Sequence, residues 1–418
     1  MKQDIICQFP LTQERLSAAV GEFLRRIRPE RERLFRYDRG EQPVPKGETA
    51  RGRPNNLLHI PFPRYITEVH TGYFLGVPPT LTFPDPAVSA CYTALAEELH
   101  LSHLLFDAAR DMSVCGVGYA LVWLEQSGLR VCRCDPLSCF LLRSDTADRA
   151  LLGAVRLYQR GDGVTAGVLY RREGQRAFRY DAGTLRWEGG EEPNLLGEIP
   201  LIAFYNNAGG SGDFAPVCSL VDAYNLLLSG AMDDMQSVAN AFLALYGMQG
   251  TRQSDIEEAN RTRILSLSEG GRAEFVVKNL NHEALAQLEG NLRRSILQLS
   301  MTPDLSDESF SGNASGVALQ YKLWGIEQVR SAKERSFSAG LNALLRALSG
   351  GLATLGTPAA LWQGTPVFYK NLPTNTAEQA ETLLSLRGVL SDRTILENLP
   401  YVTDVEEELH RRTEETHA

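Results

Sequence analysis

Apolar positions along the chain change their period several times, and the changes divide it into elements. From Leu11 to Tyr37, the residues Leu16, Val20, Phe23, Leu24 and Ile27 follow helical spacing and predict a helix, which Pro29 is expected to break in two. Asp38 to Asn56, rich in Gly, Pro and charge, reads as a loop. Pro61, Pro63, Pro78 and Pro79 then bracket a short helix carrying Tyr65, Val69 and Tyr73, and Asp85 to Asp111 reads as further helices. From Val114 to Tyr205 the pattern switches to short β-branched and aromatic runs. The predicted strands are Gly118–Glu125, Leu129–Cys134, Ala154–Gln159, Val164–Arg171, Gln175–Tyr180, Thr184–Glu188 and Leu201–Tyr205. Turn signals at Ser127-Gly128, Gly161-Asp162-Gly163, Glu173-Gly174 and Ala182-Gly183 fit the hairpins of an antiparallel meander, so this part reads as one α+β domain.

Helical spacing returns after a strand and a flexible Asn/Gly loop in Ile199 to Phe214. Asp213 suits an N-cap with Pro216 in the first turn, and the helix carries Val217, Leu220, Val221, Tyr224, Leu228, Met232, Met235, Ala239 and Phe242. It extends roughly 40 Å at 1.5 Å per residue. A charged segment Ser254–Arg263 and two strand-like runs, Arg263–Leu267 and Ala273–Val277, form a compact insertion before a second helix, His282–Met301. Two helices around an insertion make a stalk. Thr302-Pro303 stops the second helix, and an acidic, glycine-bounded loop follows, Asp304 to Gly316. A long helix then starts with Ser315 as its N-cap and runs to Ser349, about 50 Å. Leu319, Leu323 and Ile326 hold one face, Arg330 and Lys333 interrupt it, and Phe337, Leu341, Leu344 and Leu348 resume it. Such a helix is expected to bridge two packed regions, with Gly325 and Gly340 as candidate bends. Glycines 350, 351 and 356 are expected to end it, Thr365–Tyr369 to return one strand to the β domain, and Thr376–Thr416 to be helical and acidic.

At 418 residues and 43% hydrophobic content the chain is folded and large enough for several substructures. Apolar stretches such as Gly118 to Leu124 are far short of a membrane span, and the N-terminus lacks the apolar core of a secretory signal, so a cytoplasmic protein is expected. Seven cysteines without a CxxC pair read as free thiols, and no ligand set accompanies His100 and His103. A net charge of −9 disfavours a protein that grips nucleic acid, while a channel through which DNA slides remains compatible with it. Gly116-Val-Gly118 lacks the third glycine and following helix of a dinucleotide site. Gly316-Val-Ala318 stands where a phosphate loop needs Gly-Lys-Ser/Thr, so ATP hydrolysis is unsupported. Asp304, Asp307 and Glu308 lack the spacing of a calcium loop. A metal-dependent cytoplasmic hydrolase built on residues 304–308 stays as one alternative, and a ring-forming adaptor with the same stalk as another. Neither a cofactor, a metal nor a catalytic residue is expected.

Phe310 to Glu327, FSGNASGVALQYKLWGIE, resembles the loop-and-helix signature of portal proteins, the ring-shaped DNA conduits of tailed bacteriophages. Three further stretches resemble the same family: the Asn55-Asn56 element followed by Tyr73-Phe-x-Gly-x-Pro78; the strand, loop and Asp213; and Pro216-Val-x-Ser-Leu-x-Asp-Ala-Tyr-Asn225 after it.

The resemblance implies an α+β portal fold of the long-tailed siphophage type. Its parts are an antiparallel β-rich wing (1–213), stem helix 1 (214–246), a small α/β clip (247–281), stem helix 2 (282–301), a tunnel loop (302–314), a long bridging helix returning to the wing (315–372) and a helical crown (373–418). It also implies a ring of twelve subunits at one capsid vertex, assembled in the host cytoplasm and carried in the virion. Asp304, Asp307, Glu308, Ser309, Phe310, Ser311, Gly312, Asn313 and Ser315 would face double-stranded DNA without reading its sequence. Arg252, Asp255, Glu257, Glu258, Arg261 and Arg263 would meet the large terminase subunit. Scaffold, major capsid and head-completion proteins are the other implied partners, with no membrane.

Overall fold

The computed structural model describes residues 3–46, 54–126, 128–161, 163–239, 242–246, 272–276, 282–306, 316–371, 383–386 and 388–397, with single positions 252, 254, 257, 261, 405, 408, 409 and 411. The chain divides into two units, Met1–Tyr369 and Lys370–Ala418. In the first, β1 (Ile5–Cys7) leads into α1 (Gln13–Glu22), a π-helical segment Phe23–Ile27, and α2 (Arg28–Arg39). The expected break at Pro29 does not occur. The N–H of Arg28 reaches back to the Phe23 carbonyl, and this widened turn gives the proline ring room that a regular turn would deny it.

Next come α3 (Phe62–Leu75), β2 (Thr80–Thr82), α4 (Pro86–Glu98) and α5 (Leu101–Cys115). The strands that follow are β3 (Val117–Glu125), β4 (Gly128–Cys134), β5 (Cys139–Ser144), β6 (Leu151–Gln159), β7 (Thr165–Tyr170), β8 (Gly174–Asp181), β9 (Thr184–Pro193) and β10 (Leu201–Tyr205). The expected single meander is in fact two sheets, ordered β10-β3-β4 and β1-β5-β6-β7-β8-β9. All pairings within them are antiparallel except β1 on β5, where Ile5 lies opposite Leu142. Between β4 and β5 the chain turns over Asp135–Ser138, with Ser138 N–H on the Asp135 carbonyl at 3.0 Å, and changes sheet there. Leu16, Val20, Phe23 and Ile27 pack on Phe140, Leu142, Val155 and Phe178 of the larger sheet, and Phe23 stacks on Phe140 with ring centroids 4.7 Å apart.

Arg31 lies within the arginine-rich stretch Arg25 to Arg39, and unlike an ordinary surface arginine it is buried. Its guanidinium donates to the carbonyls of Pro136 (2.5 Å) and Cys139 (2.8 Å), to the Gln3 side chain (2.9 Å) and to the Tyr119 hydroxyl (3.1 Å). One side chain thereby joins β3 of one sheet to β5 of the other.

Beyond β10, α6 (Cys218–Ala239) ends earlier than its pattern predicts: Phe242–Tyr246 is a strand, β11, paired antiparallel with β12 (Arg272–Val276). A short apolar run fits helix or strand equally, and the partner strand decides it. The expected strand Arg263–Leu267 lies outside the described residues. α7 (His282–Leu299) packs on α6, with the Tyr224 hydroxyl donating to Glu289 at 2.6 Å.

α8 (Gly316–Thr354) is 39 residues long, and its expected N-cap Ser315 lies outside the described residues. Phe337, Leu341, Leu344, Leu345 and Leu348 enter the largest core with Leu105 and Met112 of α5 and Ile202 and Phe204 of β10. Glycines 350 and 351 do not end the helix as expected; they let it touch its neighbours. A Cβ on Gly350 would stand 1.8 Å from the Leu196 carbonyl oxygen, and one on Gly351 2.4 Å from the Leu129 side chain. β13 (Thr365–Val367) pairs antiparallel with β2, and so does not return to the larger sheets. In the second unit, α9 (Asp392–Glu397) follows a Ser391 hydroxyl that accepts the Thr394 N–H at 3.2 Å, and Ile395 and Leu396 are buried. The rest of the helical run expected over Thr376–Thr416 is described only at scattered positions.

Candidate functional site

The Asn55-Asn56 element straps α6. Along residues 56–60 three backbone N–H groups meet side chains of that helix: Ile60 donates to Asn225 (2.9 Å), Leu58 to Ser229 (2.9 Å) and Asn56 to Asp233 (2.7 Å). The Asn56 amide donates to Asp233 as well, at 2.7 Å, and Lys46 forms an ion pair with the same carboxylate. Phe62 closes the strap edge-on against Tyr224, centroids 5.1 Å apart.

At the far end of α7 the chain turns through Met301, whose φ is 54°, and then forms the start of the acidic loop. Thr302 is buried, with its N–H on the Leu297 carbonyl (2.9 Å) and its hydroxyl 3.0 Å from His70 Nε2 and 2.9 Å from the Ser300 hydroxyl. Tyr65 holds the next residues, donating its hydroxyl proton to the Pro303 carbonyl (2.9 Å) and accepting from the Leu305 N–H (3.2 Å). Asp304, the one predicted loop residue among those described, accepts from Arg293 (3.1 Å) and from the Ser306 hydroxyl (2.7 Å). Partial burial pushes its pKa up, but the Ser306 hydrogen bonds and Arg293 outweigh this and hold it below the usual carboxylate range. Asp307, Glu308, Ser309, Phe310, Ser311, Gly312, Asn313 and Ser315 lie outside the described residues.

A buried ion pair, which the sequence pattern does not announce, fixes α8 to this joint. Asp213 is not the expected N-cap. Its carboxylate, excluded from solvent, accepts from Lys333 Nζ at 2.5 Å, from Asn206 at 2.8 Å and from the Ser113 hydroxyl. Burial pushes Asp213 up; the Lys333 charge, His70 and the hydrogen bonds outweigh that and leave it below its ordinary value. His70 is pushed down to about 4, chiefly by burial, so its imidazole is neutral at neutral pH. The loop before Asp213, read as flexible, is tied down: Gln3 donates to the Gly210 carbonyl (2.7 Å), and the Asp213 N–H bonds the Ser113 carbonyl (2.8 Å). Gly116 and Gly212 permit this contact, since a Cβ on either would stand 2.1 Å from a carbonyl oxygen across it. Arg330, the other interruption of the α8 stripe, pairs with Glu327 (2.8 Å) and Glu334, and Glu327 accepts from Tyr73 at 2.8 Å. The two cations lock the helix to α3, α5 and the loop behind β10, between the buried Leu323 and Ile326 on one side and the core residues from Phe337 onward on the other.

Of the predicted clip residues, Arg252, Glu257 and Arg261 are described and exposed, while Asp255, Glu258 and Arg263 are outside the described residues. The described residues contain no cluster of His, Cys, Asp and Glu able to hold a metal ion, and no helix among them is long and apolar enough to cross a membrane. The cysteines are free thiols, two of them, Cys91 and Cys132, only half-buried.

The profile of the phage portal protein family, SPP1 Gp6-like, matches residues 25–418. The chain is 21% identical to the portal protein of Bacillus phage SPP1 over 415 residues, covering 92% of this chain and 80% of that one. It is 26% identical to the portal protein of Clostridium phage phiCD119 over 216 residues, half of this chain and 47% of the relative. Its fold is similar to a chain in the neck of a native GTA particle computed with C12 symmetry (TM-score 0.52, 12% identity, 82% of this chain and 90% of the other). A chain in the neck of an empty GTA particle computed with C6 symmetry is similar to the same degree (TM-score 0.52, 13% identity, 87% and 92%). These matches favour neither the hydrolase nor the adaptor alternative. With the strapped helix, the joint at Thr302 and the long helix in sequence order, this chain belongs to the SPP1 Gp6-like family of phage portal proteins.

Proposed function

We propose that the chain closes into a ring of twelve copies at one capsid vertex and conducts double-stranded DNA through its axis during packaging and ejection. Portal proteins are structural components of the virion, and the energy for translocation would come from a separate terminase. The observation that carries this reading is the order of parts around one joint: α6, the β11–β12 tip, α7, the loop start held by Tyr65 and His70, and α8. On it, residues 1–213 form the wing, 214–246 and 282–301 the stem, with helix only to Ala239 in the first part, and 247–281 the clip. Residues 302–314 form the tunnel loop, 315–372 the long helix and return, and 373–418 the crown.

Asp304, Asp307, Glu308, Ser309, Phe310, Ser311, Gly312, Asn313 and Ser315 would line the channel, where acidic side chains keep phosphates from adhering. Arg252, Asp255, Glu257, Glu258, Arg261 and Arg263 at the clip would meet the terminase and later the head-completion proteins, after assembly with scaffold and major capsid protein in the host cytoplasm. Closure follows from one heterologous contact repeated by rotation. Mass photometry with negative-stain imaging tests the proposal: particles of about a dozen subunits with an axial hole are expected. A persistent monomer would sink it.

A further inference from the structure

The two sheets of the first unit share one core, and a cavity of about 530 Å³ is lined by both of them. Its size falls within the roughly 300–1,000 Å³ typical of small-molecule sites. Most of the wall is apolar, from Leu121 and Trp123 of β3 to Leu195, Leu196 and Pro200 of the loop before β10. Arg156 of β6 stands in this wall. Strand alternation puts it there: it lies opposite Cys139 and Val168 and two residues from Ala154, on the face that packs against β3 and β4. Tyr170 of β7 is its diagonal neighbour on that face, lines the same cavity and meets the guanidinium with its hydroxyl.

No Asp or Glu lines the cavity. The ionisable groups that face Arg156 are the Tyr170 phenol and the thiols of Cys134 and Cys139, none of them a carboxylate. Glu192, which accepts from Gln175 (2.9 Å), and Glu125, which accepts from Trp123 (2.9 Å), touch lining residues but stand outside the lining. Four other cavities differ in this respect, since Glu198, Asp304, Asp4 and Glu97 each line one of them. A cation set in an apolar wall gives up hydration, and here the described residues supply no counter-charge in exchange. We propose that the cavity binds a small organic acid, a monocarboxylate with an apolar body. The guanidinium fork and the phenol hydroxyl suit the two oxygens of a carboxylate, and one cation balances one negative charge. A phosphate dianion would meet a single cation and otherwise apolar walls. Leu121, Leu196 and Pro200 would cover the body of the acid. The proposal does not depend on ring assembly.

Calorimetric titration of the full-length protein at neutral pH tests this, with phenylbutyrate as the probe beside its neutral amide, phenylbutanamide, and inorganic phosphate. The acid is expected to bind roughly tenfold or more tightly than the amide, the loss of one charge-assisted contact. Arg156→Gln should bring the acid down to the affinity of the amide, with an unchanged melting temperature. Bound acid should also slow hydrogen exchange in the loop carrying Leu195 and Leu196. Equal affinity for acid and amide would mean an apolar cavity only, and phosphate binding as tightly as the acid would mean a general anion site; either overturns the proposal. So does the absence of acid binding, undiminished binding to Arg156→Gln, or protection confined to other segments. Should Arg156→Gln fail to fold, the comparison of acid with amide on the wild type decides by itself.

Discussion

Lys333 Nζ lies 2.5 Å from the Asp213 carboxylate, with the two side chains only 2% and 3% exposed, and the contact joins the middle of the longest helix to the loop that precedes α6. Removing one member leaves the other buried without its counter-charge. Lys333→Met is therefore expected to lower unfolding free energy by about 3–5 kcal/mol, whereas Lys333→Met with Asp213→Leu recovers most of it. Urea denaturation of the wild type, the two single variants and the double variant gives the cycle. Additive losses would mean that the pair is not coupled.

His70 supplies a pH dependence with a defined sign. Its folded pKa, about 4, lies below the ordinary value of 6.5, so the unfolded chain binds the extra proton first as pH falls. Stability contributed by the neutral imidazole is complete above about pH 6.5 and is lost between there and pH 4, by up to about 3 kcal/mol. His70→Gln should flatten the stability profile in that window. An unchanged slope would reject the assignment.

Two glycines on long helices should respond oppositely to alanine. At Gly350 the added Cβ meets the Leu196 carbonyl oxygen, so Gly350→Ala is expected to cost about 1–3 kcal/mol. At Gly230 of α6 a Cβ meets nothing within 4 Å, and Gly230→Ala should stabilise by about 0.5–1 kcal/mol through helix propensity. Thermal midpoints of the two variants moving in the same direction would contradict this.

Replacing residues 304–315 with a short glycine linker should leave ring assembly intact and impair DNA packaging. Part of the segment is anchored, since Asp304 holds Arg293, so a modest loss in melting temperature should accompany the change and be reproduced by Asp304→Ala alone. Loss of assembly would mean that the segment is a folding element.

Elements with a clean period were legible from residues alone: the hairpins of β6 to β9, and the helices around Leu34, Tyr73 and Leu341, whose apolar faces are buried as their spacing requires. β5 was not, because Cys139–Ser144 is buried almost throughout and shows no alternation. β1 is three residues long and exists by virtue of its partner. Lys333 was visible as an oddity in the α8 stripe, but a cation among leucines does not name its partner 120 residues away. Asp213 looked like a cap because caps and buried acceptors use the same residue type before a helix. The sequence resemblance supplied what periodicity could not, the family to which the chain belongs.

The strap over α6 has a metrical consequence. Its donors, Asn56, Leu58 and Ile60, are two residues apart in extended chain, about 6.7 Å per step. Their acceptors, Asp233, Ser229 and Asn225, are four apart on a helix, about 6.0 Å per step. The two rulers agree over three marks, so the segment is registered by backbone length more than by side-chain identity. Leu57 and His59, which are exposed between the marks, should therefore accept varied side chains, while a single inserted or deleted residue would shift every mark and free the helix from its guide.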